Sequence, residues 1–196
     1  MPLTLQWDPE LVDQQSVLLD HLFRSWHDAM GMRASLLSMP ELLCIHLDRL
    51  LPDAAGRLRR IDTEVLMLGP ISVPMWDADA DVRWVPYVTV AAVAHLGHTH
   101  GGHYQSILRL KDGQISASGA HMWLHCDDDR IPHCCHDLPA GFATGITCIW
   151  LCRKTCLDLP TLFEACTTAT DQPTADMTVE ATENMLALIR SLAPLT

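Results

Sequence analysis

The run from residue 84 to residue 96 is rich in Val, with a Tyr, and is apolar at odd and even positions alike. Side chains of a strand alternate between its two faces, so such a run needs cover on both sides and reads as an interior strand of a sheet. Pro86 lacks an N–H, which restricts the first residues to an edge or a bulge. The run then enters Gly97-His98-Thr99-His100-Gly101-Gly102, where glycine allows a tight turn and close backbone approach.

Other segments fall around that strand. Leu19, Leu22, Phe23, Trp26 and Met30 share one helical stripe and predict a helix over 17–30, with Gly31 as its stop. A second short helix is expected over 34–38, ending before Pro40. Residues 42–47 predict an apolar central strand, 61–68 another, 71–74 a short extended piece and 77–81 an acidic surface loop. Residues 105–110 run back from the glycine loop to a turn at Lys111-Asp112-Gly113. Strands follow at 122–126 and 146–152, the latter with Cys148, Trp150 and Cys152 alternating against Ile149 and Leu151. After Lys154 a Thr-rich linker leads to an amphipathic helix over 179–192. The sum is an α+β arrangement, a helical start followed by a largely antiparallel sheet.

A chain of 196 residues with 48% apolar residues has material for one core. Its net charge of -11 argues against nucleic acid and against anionic membrane surfaces, since both repel it. With neither a signal-peptide pattern nor eighteen successive apolar residues, an intracellular protein, cytoplasmic or nuclear, is expected. Its eight cysteines then read as reduced thiols, reactive groups or metal ligands rather than as disulfides.

Gly101-Gly102-His103-Tyr104, followed by Trp123 and the carboxylates Asp127, Asp128 and Asp129, has the residue types of a base and its orienter. Alone, His103 would be an ordinary loop histidine, and Asp128 and Asp129 a solvated turn. Together these residues resemble the histidine box of the ubiquitin-specific proteases, in which Gly-Gly-His-Tyr precedes an aromatic and an Asp-Asp or Asn-Asp pair. Residues 40–50, containing His46-Leu47-Asp48-Arg49, resemble that family's proline, apolar strand and His-Leu-Lys-Arg-Phe run. Residues 61–74 resemble the segment after it, and 146–153 its closing strand ending in Arg.

The resemblance covers roughly residues 35–154 and implies the C-terminal half of a papain-like catalytic domain, with 155–196 as a polar linker and helix. It implies His103 as the base, Asp127 as its orienter and Asp128 as a second acidic group. Gly101, Gly102 and Tyr104 would meet the substrate, ubiquitin or a ubiquitin-like modifier. The family's cysteine box and its Cys-x-x-Cys fingers are absent from this sequence, and Asp48 and Leu50 depart from its Lys and aromatic. A partial domain is therefore expected, inactive unless an upstream Cys-box segment joins it.

Cys126 precedes Asp127 on one strand and should face the other way; Cys44, Cys148 and Cys152 read as buried small apolar residues, and His46 as a core histidine. None is a good nucleophile, because a reactive thiol needs a base beside it. Two other readings stand: a non-catalytic ubiquitin- or partner-binding pseudoenzyme, and a zinc module built from His95, His98, His100, His103, His133, Cys134, Cys135 and His136. The spacing of those ligands matches no established finger, so neither a metal site nor a cofactor is expected.

Overall fold

The computed structural model describes residues 2–29, 34–52, 55–67, 69–77, 79, 81–98, 101–110, 122–128 and 130–154. The expected turn at 111–113, the stop at Gly31 and everything from residue 155 onward lie outside the described residues.

The chain opens with β1 (Leu3–Leu5), α1 (Pro9–Val12), β2 (Ser16–Leu18) and α2 (Leu19–Asp28). Asp8 caps α1, its carboxylate accepting from Glu10 N–H at 2.9 Å, with Pro9 placed where its missing N–H costs nothing. The predicted helix stripe is present, with Leu19, Leu22 and Phe23 fully buried, but the first residues of the predicted range pair as β2 instead.

Then come β3 (Leu42–Leu47), β4 (Leu50–Pro52), β5 (Leu58–Arg60), β6 (Glu64–Leu66) and β7 (Pro70–Trp76). The helix expected at 34–38 does not form. Leu36 bridges Met75 instead: its N–H donates to Pro74 O, and its carbonyl accepts from Trp76 N–H, each at 3.0 Å. A segment this short gains more from a neighbouring strand edge than from one helical turn. Of the strand expected over 61–68, the described residues form β6, which pairs in parallel with β2.

The core sheet is completed by β8 (Val82–His98), β9 (Gly101–Arg109), β10 (Trp123–Asp127), β11 (His133–Cys135) and, after the short helix α3 (Phe142–Gly145), β12 (Ile146–Arg153). Its order is β1-β3-β12-β8-β9-β10-β11, with β7 also on β8. All of these pairs are antiparallel except β1 on β3. The long run read as an interior strand is β8, flanked by β12 and β9 along its second half. Pro86 faces Ser72 of β7, while pairing with β12 stops at Tyr87, so its missing donor falls where one side is unpaired.

On β3, Leu43, Ile45 and Leu47 are buried while Cys44 and His46 are half-buried on the other face, opposite Trp150 and Cys148. Neither Cys44 nor Cys148 is a fully buried residue and His46 is not in the core, contrary to the sequence-based expectation. Cys152 is buried as expected, and the unbroken β12–β3 register keeps it on the face of Trp150, opposite to Leu151; the register shift between Trp150 and Leu151 puts its extra residue, Val90, on β8. The Cys44 thiol is pushed up to about 11 by burial and by Cys148, which keeps it protonated at neutral pH.

A buried arginine joins this sheet to the smaller strands. Arg49 is 5% exposed; its Nε donates to Ile146 O (2.6 Å), Nη1 to Ile61 O (3.1 Å) and Thr63 O (2.8 Å), and Nη2 to Ala143 O (3.1 Å). The Trp7 ring lies 5.2 Å from its guanidinium carbon. Burial, and then Arg60, lower its pKa to about 10, still far above neutrality. Replacing Arg49 by Met leaves buried carbonyls without donors, each worth roughly 1–3 kcal/mol. Urea unfolding of Arg49→Met should show a loss of about 3 kcal/mol or more, with Arg49→Lys only partly restoring it, since a single ammonium cannot reproduce the guanidinium fork.

Candidate functional site

His103 and Asp127 sit near facing ends of adjacent strands. On β9, His103 pairs with Leu96 of β8; on β10, Asp127 pairs with Gln105, two residues along from His103 on the same face. The β8–β9 hairpin that presents His103 depends on two glycines. A Cβ at Gly97, whose φ is +138°, would strike Gly101, and one at Gly102 would strike His95 and Leu96. The close approach that Gly102 permits is thus to its own hairpin, while a Cβ at Gly101 would meet open space. Arg60 holds the β8 end of this hairpin, donating from Nη2 to His95 O at 2.8 Å and from Nη1 to Gly97 O, with Asp62 3.1 Å from its Nε.

The imidazole has a carboxylate at each nitrogen. Asp127 Oδ1 lies 2.6 Å from Nε2, and Asp128 Oδ2 lies 2.8 Å from Nδ1. The two acids differ in setting: the Asp127 side chain is 3% exposed and that of Asp128 65%, with His103 between them at 39%. Arg130 Nη1 contacts the other Asp127 oxygen at 3.0 Å. Both Asp127 oxygens are closed to solvent and neither contact is aligned as a hydrogen bond, so the carboxylate is held mainly by the charges beside it. Asp128 has φ +42°, the one non-glycine residue with positive φ among those described. Asp tolerates this left-handed conformation better than most residues. The turn closes when Arg130 N–H donates to Asp127 O at 2.9 Å.

Chemically, a buried carboxylate at Nε2 fixes the ring and stabilises it when it takes up a proton. Nδ1 is then the nitrogen left for proton exchange with a reacting group, and Asp128 lies against it on an exposed turn. Cys126 alternates to the opposite face of β10 from Asp127, as expected. Tyr104 also leaves the face of His103; it is 60% exposed, with its ring 4.9 Å from that of His95. Among the described residues, one group of three His, Cys, Asp or Glu side chains brings its donor atoms within 4.8 Å of one another, namely His103, Asp127 and Asp128. The set proposed for zinc does not gather: on β11, His133 and Cys135 point one way and Cys134 the other, and His100 lies outside the described residues.

Three neighbours of the dyad were not singled out from the sequence: Gln105, His125 and Arg130. Gln105 Oε1 lies 3.2 Å from His125 Nε2, and Gln105 Nε2 lies 3.4 Å from His103 Nε2. The signal was available in the period of two, since 103 with 105 and 125 with 127 must share faces.

The described residues form an α+β fold in which an antiparallel sheet presents a histidine and a buried carboxylate from neighbouring strands. A family model described as ubiquitin carboxyl-terminal hydrolase matches residues 11–176, and the chain belongs to that family. No match was found among curated proteins. The structure is similar to the Ubp8-Sgf11-Sgf73-Sus1 SAGA DUB module (TM-score 0.54, 15% identity, 78% of this chain and 33% of that chain). It is also similar to the SAGA Ubp8/Sgf11/Sus1/Sgf73 DUB module bound to ubiquitin aldehyde (TM-score 0.53, 14% identity, 78% and 36%). A yeast SAGA DUB module with an Sgf73 mutant gives a TM-score of 0.51 at 17% identity, covering 78% and 34%. At these identities the likeness is one of fold, and the chain spans about a third of the length of the chains it matches. Among the described residues no helix is long and apolar enough to cross a membrane.

His125 makes the site's surroundings acid-sensitive. Burial, and then His133, lower its pKa from 6.5. The unfolded chain therefore binds a proton at higher pH than the folded one does. The contribution of His125 to stability is fully present above about pH 6.5 and is lost as the pH drops below it, until the folded ring also protonates. Thermal melts between pH 7 and 5 should show this loss, and His125→Gln should melt with a shallower dependence on pH.

Proposed function

We propose that this chain carries the base-and-orienter half of a deubiquitinating thiol hydrolase, with His103 as base, Asp127 as orienter and a cysteine nucleophile supplied by a segment outside it. The observation that carries this reading is the 2.6 Å contact between His103 Nε2 and a carboxylate 3% exposed, across adjacent strands. Asp127 then selects the ring orientation in which Nδ1 meets the thiol. The substrate is the bond after the C-terminal glycine of ubiquitin or of a ubiquitin-like modifier. His103 Nδ1 takes the thiol proton, and the thiolate attacks the glycine carbonyl. The C–N bond breaks as the leaving amine receives that proton, giving a thioester. Water then attacks the thioester, giving up a proton to His103, which returns it to the departing thiol.

Asp128 has a double part in this reading. In its observed place it covers the Nδ1 face, so it swings outward before a thiol approaches; its 65% exposure on a turn leaves it room. The same contact favours the second reading, a non-catalytic ubiquitin-binding protein in which Asp128 fills the position of the nucleophile. Gly101, Gly102 and Tyr104 flank the dyad on the hairpin edge, where the modifier's tail would pass. We place the protein in the cytoplasm or nucleus, with no nucleic acid or membrane as partner, in keeping with its net charge of -11.

Ubiquitin with a fluorogenic C-terminal leaving group separates these readings. The expected result is no turnover by the chain alone, and turnover when a Cys-box segment is supplied. His103→Ala should then abolish it and Asp127→Asn lower it by up to roughly 10⁴-fold, because the amide favours the wrong tautomer of the ring. Turnover by the chain alone that survives His103→Ala would overturn the assignment. Binding of ubiquitin without turnover, even with the segment supplied, would establish the second reading instead.

A further inference from the structure

Beside the dyad, on the same face of β10, His125 is 5% exposed. Its Nε2 lies 3.2 Å from Gln105 Oε1, and an amide oxygen only accepts, so Nε2 carries the ring proton. Nδ1 is then the lone-pair nitrogen. It is closed to solvent and has no hydrogen-bond partner, an uncommon state for a buried polar atom. Directly opposite in the β10–β11 register stands His133, an exposed residue on the sheet's edge strand. The two rings are 5.0 Å apart between centroids and nearly perpendicular, at 86°.

These are the parts of a histidine metal site. A ligating imidazole presents one bare nitrogen and has its other N–H held by an oxygen acceptor, which sets the tautomer and the ring orientation. Gln105 is that acceptor. We propose that His125 and His133 form a cross-strand site for a divalent transition-metal ion of the zinc type, the exposed His133 ring turning outward to open the Nδ1 side to the ion and to the waters that complete its coordination. Imidazole nitrogen selects such ions over magnesium and calcium, which take oxygen.

The three-residue cluster at His103 is a poorer host. Asp127 there already faces Arg130 and His103, and an incoming cation would have to displace one of them. Cys135 lies on the same side of β11 as His133 but pairs with Trp123, two residues along the ladder from His125. A metal at His125 sits one hydrogen bond from Gln105, whose amide nitrogen is 3.4 Å from His103 Nε2, and so borders the dyad without sharing its residues.

Calorimetric titration of the full chain with Zn²⁺, under reducing conditions, tests this without ubiquitin or turnover, so its failure leaves the hydrolase reading untouched. The expected result is one equivalent bound, weakened at least tenfold by His133→Ala, a surface change that leaves the fold intact, and likewise by His125→Gln. Binding should change less than twofold in His21→Ala and Cys134→Ser. The proposal is overturned if no zinc binds, if His133→Ala binds as the parent does, or if Asp128→Asn rather than His133→Ala removes the site.

Discussion

Arg49 is the interaction on which the arrangement depends. One guanidinium, nearly sealed from water, serves carbonyls of Ile61 and Thr63 on one side and of Ala143 and Ile146 on the other. Those carbonyls belong to segments eighty or more residues apart in the chain, so one side chain ties together what no local hydrogen bond could. Only arginine has enough donors, in a rigid enough fork, to close all of them at once. Its charge is tolerated because each N–H it uses meets an oxygen and because Trp7 lies against its face. The consequence runs outward along the sheet: Ile146 begins β12 and pairs with Ala94 of β8, and Ala94 pairs with Gln105 of β9, two residues from His103.

The dyad follows from that scaffold by register rather than by loop design. His103 and Asp127 come from strands joined by a connection outside the described residues, yet their separation is set by a ladder of antiparallel pairs that leaves little freedom. A slip of one residue in β10 would send Asp127 to the other face and bring Cys126 toward His103. Asp128, by contrast, reaches Nδ1 from a turn in a left-handed conformation, and its exposure makes it the movable member. A buried fixed acid on one nitrogen and a solvent-exposed acid on the other give the imidazole two unequal partners.

Part of this was legible from residue pattern. The double-faced apolar run became β8, the stripe through Leu22 and Phe23 became α2, and Gly-Gly-His with the downstream acids met across β9 and β10. Such features depend on local period, which a strand or helix imposes wherever it forms. The misses are of another kind. The segment at 34–38 has helical residues but gives its backbone to Pro74 and Trp76, and Cys44 and His46 lie on a half-buried face because the sheet is covered unevenly. Gln105 and His125 belong to no motif in the sequence and become neighbours only when strand pairing sets them side by side.

By itself, then, the sequence determined the strand and helix periods, the glycines that shape the hairpin, the family to which the chain belongs and the identity of the two residues that meet at its site. Those depend on near neighbours in the chain. Tertiary structure alone decided that Arg49 is buried and fully used, that β1 lies parallel to β3, that Asp128 rather than solvent faces Nδ1, and that His125 keeps an unpaired nitrogen beside His133. Each of these depends on which distant strands become partners and in what register, and pairing energy is spread over many contacts that no single segment encodes.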